Sequence, residues 1–268
     1  MNFRAVPALL GAGLLAACTA PDMTPELVTY RHYVALGDSF AAMGSRSAPT
    51  SGPLECFRSA DNYPSLLLID APVAAGQDVT CSSAVTADIP GQAAALTPDT
   101  DLVTLSIGGN DIRFAEIAGC FRRAMSETLD CPALLDAPVN EQLDSVPARL
   151  DEVYGIIAED SPDARVIATG YLPLVSAGEC PELEAVPEEH RAWAVALTEQ
   201  INDVVRAAAE RHGAEFVLPA GASEHSACAE PVQRWTDITG EETDAYPMHP
   251  TPLGQRAMAE AVLGQIRK

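Results

Sequence analysis

Ser39, Asn110 and His249 are the side chains whose types and positions point to chemistry. Ser39 lies in Gly37-Asp38-Ser39-Phe40, directly after the apolar run His32-Tyr33-Val34-Ala35-Leu36. Asn110 follows Gly108-Gly109, which close a second apolar run, Asp101 to Ile107. His249 stands in His249-Pro250-Thr251-Pro252, just ahead of a helical stretch near the C-terminus. A serine hydroxyl is a weak nucleophile until a neighbouring imidazole takes its proton. The oxyanion that then forms needs fixed donors, and an amide side chain supplies one. The paired glycines let the backbone turn tightly and approach a ligand closely. Singly, such residues are common in turns; their order and spacing carry the argument for acyl transfer.

The elements that must position these residues are legible in the apolar pattern. Residues 32–36, 101–107, 165–169 and 215–218 are continuous apolar runs, with 78–80 a weaker fifth. Runs of this length suit strands buried on both faces, as in a parallel sheet. Helical spacing over 142–158, 188–211 and 252–266 alternates with them, His212-Gly213 ending the second and Thr251-Pro252 opening the third. Alternation of this kind predicts an α/β fold: a three-layer α/β/α sandwich with a mostly parallel five-stranded sheet, flavodoxin-like in plan. Ligands bind beyond the C-terminal strand ends in such folds, so the Pro/Gly/Ser-rich stretches 43–60, 171–187 and 219–248 are expected to build the pocket.

Composition narrows the partners. Among 268 residues, Lys+Arg 16 against Asp+Glu 38 give a net charge of −22, and the only lysine is Lys268. A field of that sign repels phosphate backbones, so no nucleic-acid partner is expected. Arg4 followed by the small and apolar run Ala5 to Ala17 has the shape of a secretory leader, too short to span a bilayer. The leader ends in Leu15-Ala16-Ala17-Cys18, which resembles a bacterial lipobox. The expected organisation is therefore a leader over 1–17, a tether over 18–31 bearing a lipidated Cys18, and one domain over 32–268. Such a chain would sit on the outer face of the cytoplasmic membrane through its anchor, or be secreted, as a monomer.

Seven cysteines less Cys18 leave an even set: Cys56, Cys81, Cys120, Cys131, Cys180 and Cys228. In an oxidising compartment these read as disulfides, with fifteen pairings open in principle. The sequential pairing 56–81, 120–131 and 180–228 is expected, each bridge stapling one local excursion. No pair has C-x-x-C spacing and no histidine stands at ligand distance, so no metal site is expected.

Taken together, Leu36-Gly37-Asp38-Ser39-Phe40, Gly108-Gly109-Asn110-Asp111 and the block around His249 resemble the SGNH, or GDSL-type, serine esterases and lipases. The resemblance runs from about residue 32 to 267, and the cysteine layout with Arg234-Trp235 is similar to the secreted actinobacterial branch. It implies a Ser39 nucleophile, a His249 base, and an oxyanion hole from the Ser39 N–H, the Ser83 N–H and the Asn110 amide. No cofactor is implied. Ser83 stands where the family usually has glycine, and its N–H can serve provided the backbone there does not need a positive φ. Tyr246 replaces the aspartate that often orients the histidine. The Tyr246 carbonyl is the expected substitute, with Asp244 reaching the ring only if its loop bends. Asp111 is expected to cap the following helix, and His32, His190, His212 and His225 to be structural. The implied activity is hydrolysis of a small-molecule, lipid or glycan ester. Acyl transfer on the same site and an inactive glycan- or lipid-binding lipoprotein are the alternatives.

Overall fold

In the computed structural model the described residues are Met1, 29–176 and 178–268; the leader, Cys18 and most of the tether fall on residues 2–28, outside them. Five strands form the central sheet: β1 (Tyr33–Gly37), β2 (Gly76–Asp78), β3 (Leu102–Ser106), β4 (Arg165–Thr169) and β5 (Glu215–Val217). Their order is β2-β1-β3-β4-β5, every neighbour parallel. The strand order reverses between β1 and β3, the switch point at which such sheets open a crevice. Gly37 and Ser106 are partners in register, so the turns leaving β1 and β3 start level at that crevice.

Side-chain alternation sends the strand residues to two cores. Val34, Leu36, Val103 and Leu105 pack with helices α3 (Ile89–Ala93), α5 (Cys131–Leu143), α6 (Val146–Asp160) and α7 (Glu188–Arg211). Tyr33, Ala35, Leu102 and Ile167 pack on the other face with α2 (Tyr63–Asp70) and α8 (Pro252–Ile266). Two further helices lie near the strand ends, α1 (Ser39–Ala42) and α4 (Phe114–Ala124). Leu36 and Leu105 are buried directly beneath the turns that leave β1 and β3, and truncation of either to alanine costs roughly 2–5 kcal/mol.

The helix expected over 142–158 is two helices. Gln142 and Leu143 end α5, while Pro147 sits in the first turn of α6, where its missing N–H is harmless. The edge strand is shifted to Gly76–Asp78, and residues 79–80 run on towards Cys81. Tyr30, expected in the tether, is buried and hydrogen-bonded through its backbone to Pro72 and Ala74, so the packed domain starts before residue 32.

The disulfides are Cys56–Cys81, Cys120–Cys131 and Cys180–Cys228. The pairing is the sequential one, but two of the bridges are not local staples. Cys56–Cys81 spans α2 and β2, and Cys180–Cys228 spans α7 and β5, joining two separate loops. The second of these ties the 171–187 loop to the segment leading to His249.

Candidate active site

Gly37 ends β1 at φ +151°, and a Cβ there would lie 2.5 Å from the Ser106 carbonyl oxygen. Only glycine lets the two turns run this close. Asp38 then caps α1, its Oδ1 accepting the Phe40 N–H at 2.9 Å. Ser39 is the first residue of that helix, so its own N–H has no partner within the helix.

His249 arrives from the far end of the chain on a two-residue antiparallel ribbon, Thr236–Asp237 against His249–Pro250. Its Nε2 is 2.8 Å from Ser39 Oγ, and its Nδ1 is 2.7 Å from the Pro247 carbonyl oxygen. A carbonyl only accepts, so Nδ1 carries the proton and Nε2 presents a lone pair to the serine hydroxyl. Met248, between the two residues, has φ +62°, which turns the Pro247 carbonyl back onto the ring. Desolvation pushes the imidazole down to about 4, against the opposing pull of the Pro247 bond. Phe40 and Phe114 flank the ring at 5.5 and 5.8 Å between centroids.

The residues expected to orient His249 do other things. The Tyr246 carbonyl accepts the backbone N–H of His249 at 3.2 Å, and its ring packs on Phe57. Asp244 accepts from the N–H and hydroxyl of Ser47, and its own carbonyl accepts the Arg46 N–H. Asp244 is thus turned into the 43–60 loop, away from the imidazole. The left-handed turn at Met248 brings the carbonyl two residues back, not three, onto Nδ1.

Ser83 has φ +64°, the left-handed conformation that glycine adopts freely. The condition set for serine at this position is therefore not met: the backbone does take a positive φ, and serine accepts that strain. Its N–H has no hydrogen-bond partner among the described residues. Asn110 Nδ2 donates to the Ala84 carbonyl at 2.9 Å, spending one amide hydrogen and leaving the other. That bond ties the Ser83 turn to the Asn110 turn. Asp111 is not a helix cap. It accepts from the Thr86 N–H at 3.0 Å and hydroxyl at 2.6 Å, and pairs with Arg149 at 3.1 Å, locking the same two turns together. The following helix instead starts at Arg113 in a left-handed turn without a side-chain cap.

Sequence reasoning missed Asp38, Pro247 and Tyr171. Asp38 is buried, and burial pushes its carboxyl up to about 7 against hydrogen bonds from the Tyr171 hydroxyl and the Phe40 N–H. Tyr171 lies two residues past β4, at a strand end where ligand-facing residues gather, which was the available signal. Of the remaining histidines, His32 bonds Thr100, His212 bonds Asp151 and stacks on Tyr154, and His225 stacks on Trp235. His190 faces Asp130. No group of three or more metal-capable side chains is gathered among the described residues.

Against Phe40 and Met248, the chain neighbours of Ser39 and His249, an apolar cavity of about 70 Å³ lies between α4, α7 and the 171–175 segment. Phe40, Phe114, Ile117, Phe121, Leu197 and Ile201 are among its walls.

Comparison with known proteins gives a consistent result. The sequence profile of the GDSL-like Lipase/Acylhydrolase family matches residues 35–257. Lipase 2 of Streptomyces coelicolor is 36% identical over 286 aligned positions, covering 94% of this chain and 90% of that protein. A lipase of Streptomyces rimosus is 34% identical over 215 positions, covering 78% and 76%. Among solved structures, phospholipase A1 from Streptomyces albidoflavus NA297 superposes with a TM-score of 0.76 at 29% identity, over 90% of this chain and 100% of that one. The extracellular lipase of Streptomyces rimosus gives 0.76 at 28%, over 89% and 100%.

Proposed function

The chain belongs to the GDSL-like lipase/acylhydrolase family and is an esterase or lipase, and from that premise we propose that it works through a Ser39–His249 dyad without a carboxylate partner. The observation that carries this reading is the 2.8 Å Nε2–Oγ contact combined with the 2.7 Å anchor of Nδ1 on the Pro247 carbonyl. Ser39 Oγ attacks the ester carbonyl carbon while its proton passes to His249 Nε2. The carbonyl oxygen, now carrying the charge, is held by the Ser39 N–H, the Ser83 N–H and the free hydrogen of Asn110 Nδ2. The adduct collapses, His249 returns the proton to the departing alkoxide, and an acyl-serine remains. Water repeats the sequence and releases the acid.

The substrate is an ester with an apolar acyl chain, because the cavity that Phe40 and Met248 border next to the dyad is lined almost wholly by hydrocarbon. Export is supported by the three disulfides, which persist only where thiols are not kept reduced. Lipidation of Cys18 would hold the enzyme at the membrane, and a Cys18→Ala chain would then be released into the medium. The test of function is a series of p-nitrophenyl esters of rising acyl length. Each buried methylene is worth about 0.8 kcal/mol, so kcat/KM should rise roughly fourfold per carbon until the cavity is filled. A Ser39→Ala enzyme should be inactive on all of them. Turnover in folded Ser39→Ala, or kcat/KM indifferent to chain length, would reject the reading.

A further inference from the structure

Three side chains from distant parts of the chain, Gln255 and Tyr171 buried and Gln92 partly so, hold the turn that carries Ser39. Gln92 of α3 accepts the Gly37 N–H at 2.8 Å and donates to the Gly37 carbonyl at 2.9 Å. Gln255 of α8 donates to the carbonyls of Phe40 at 2.9 Å and Met43 at 2.6 Å. Between them, the Tyr171 hydroxyl donates to Asp38 Oδ2 at 2.6 Å. Gln92 holds only Gly37, and Gln255 also accepts the Tyr63 N–H of α2 at 2.8 Å, so neither reaches the Asn110 turn.

Tyr171 does more. Its phenol oxygen also accepts the Gly109 N–H at 2.7 Å, one residue before Asn110. Asp38 Oδ2 takes the single phenol hydrogen, and a phenol lone pair remains for the Gly109 N–H. Gly109 permits this approach because a Cβ there would lie 2.8–3.0 Å from the end of the tyrosine ring and its hydroxyl. The tyrosine backbone is fixed in turn by Asn202 of α7, which accepts its N–H at 2.7 Å and donates to its carbonyl at 2.9 Å. Everything in this chain is buried, where hydrogen bonds are stiff and a lost partner is not replaced by water.

We propose that Tyr171 is a positioning residue for ester hydrolysis: its hydroxyl clamps the Ser39 turn to the Asn110 turn and so sets where the oxyanion donor stands relative to the nucleophile. This rests on the reading of Ser39 and Asn110 given above. Removing the hydroxyl would leave Asp38 Oδ2 and the Gly109 N–H unpaired and let the two turns drift apart. The ring itself packs edge-on against Phe40 at 5.0 Å, a contact that phenylalanine at position 171 keeps.

The test is a double-mutant cycle on a p-nitrophenyl ester, using the wild type, Tyr171→Phe, Asn110→Ala and the double variant. Misplacement of a donor on the ångström scale costs up to about 10²-fold, so Tyr171→Phe should lower kcat by roughly 10- to 100-fold with little change in KM. Because the clamp acts through Asn110, the same substitution should cost less than about threefold when Asn110 is already alanine. An equal loss in both backgrounds would overturn the clamp alone, as would a rise in KM with kcat unchanged. An Asn110→Ala enzyme with wild-type kcat would overturn the reading of the site, and the clamp with it. Should Tyr171→Phe not fold, Asp38→Asn takes its place in the same cycle: its oxygen keeps the Phe40 N–H, while its amide nitrogen cannot accept the phenol hydrogen. A loss of kcat that disappears with Asn110→Ala supports the clamp; a kcat within about threefold of wild type, or a loss that persists there, overturns it.

Discussion

Asp38→Asn should flatten the pH dependence of stability over the range in which Asp38 ionises. The carboxyl is buried beside Ser39, with hydrogen bonds from Phe40 and Tyr171 but no cation in contact among the described residues. Its ionisation is pushed from the ordinary 3.8 to about 7, chiefly by desolvation. The folded state therefore holds a proton that the unfolded state has released, between about pH 4 and pH 7. Stability falls with rising pH wherever the native state binds more protons. The contribution is fully present below pH 4 and lost by the time the pH passes 7, with a total on the order of 4 kcal/mol. Asparagine keeps an acceptor for Phe40 and a polar contact to Tyr171 but cannot ionise, so it escapes the loss. Urea unfolding at intervals from pH 4 to pH 8, with disulfides intact, measures the difference between variant and wild type, and other carboxylates cancel in it. The difference should move in favour of Asp38→Asn by several kcal/mol, most of it between pH 5 and 7. A difference that stays constant to within roughly 0.5 kcal/mol, the scatter of an ordinary surface change, would refute the claim that this carboxylate is desolvated and uncompensated.

His249 is pushed down to about 4 by burial, so the neutral base should persist far into acid. The acid limb of kcat/KM should lie well below the ordinary 6.5, and a limb at 6.5 or above would contradict a desolvated imidazole. Asn110→Ala should lower kcat by roughly 10²–10³ with KM nearly unchanged, as loss of an oxyanion donor does; a raised KM at constant kcat would make it a binding residue. Asp244→Asn should leave kcat within about threefold, because the carboxylate bonds Ser47 and not the ring. A loss on the order of 10⁴ would mean that Asp244 completes a triad during turnover.

The strands were legible because a sheet buried on both faces writes itself as continuous apolar runs, and four of the five needed no more than that. The edge strand was displaced because Gly76–Asp78 pairs on one side only and carries Gln77 and Asp78, which leave no apolar run. Ser39 and His249 were legible because each sits at the close of a recognisable element, and 2.8 Å now separates them. The orienting carbonyl was misassigned by one residue. Its position depends on the left-handed Met248, a torsion that residue spacing does not encode. Ser83 was judged by the identity of the residue alone, and its positive φ became visible only with the backbone. Tyr171 was out of reach for a different reason. Its two partners lie 133 and 62 residues away, and only the folded sheet brings them together. The sequential disulfide pairing emerged from cysteine order, while what those bridges join did not, since Cys180 and Cys228 lie in different loops.

The central claim is that Ser39 becomes covalently acylated. The direct measurement is peptide mass spectrometry of the enzyme after inactivation by a p-nitrophenyl alkylphosphonate, which traps an activated serine as a stable adduct. One equivalent of adduct should lie on Ser39, and Ser39→Ala should take up none. An adduct on another residue that accompanies loss of activity, or full labelling of folded Ser39→Ala, would contradict the account.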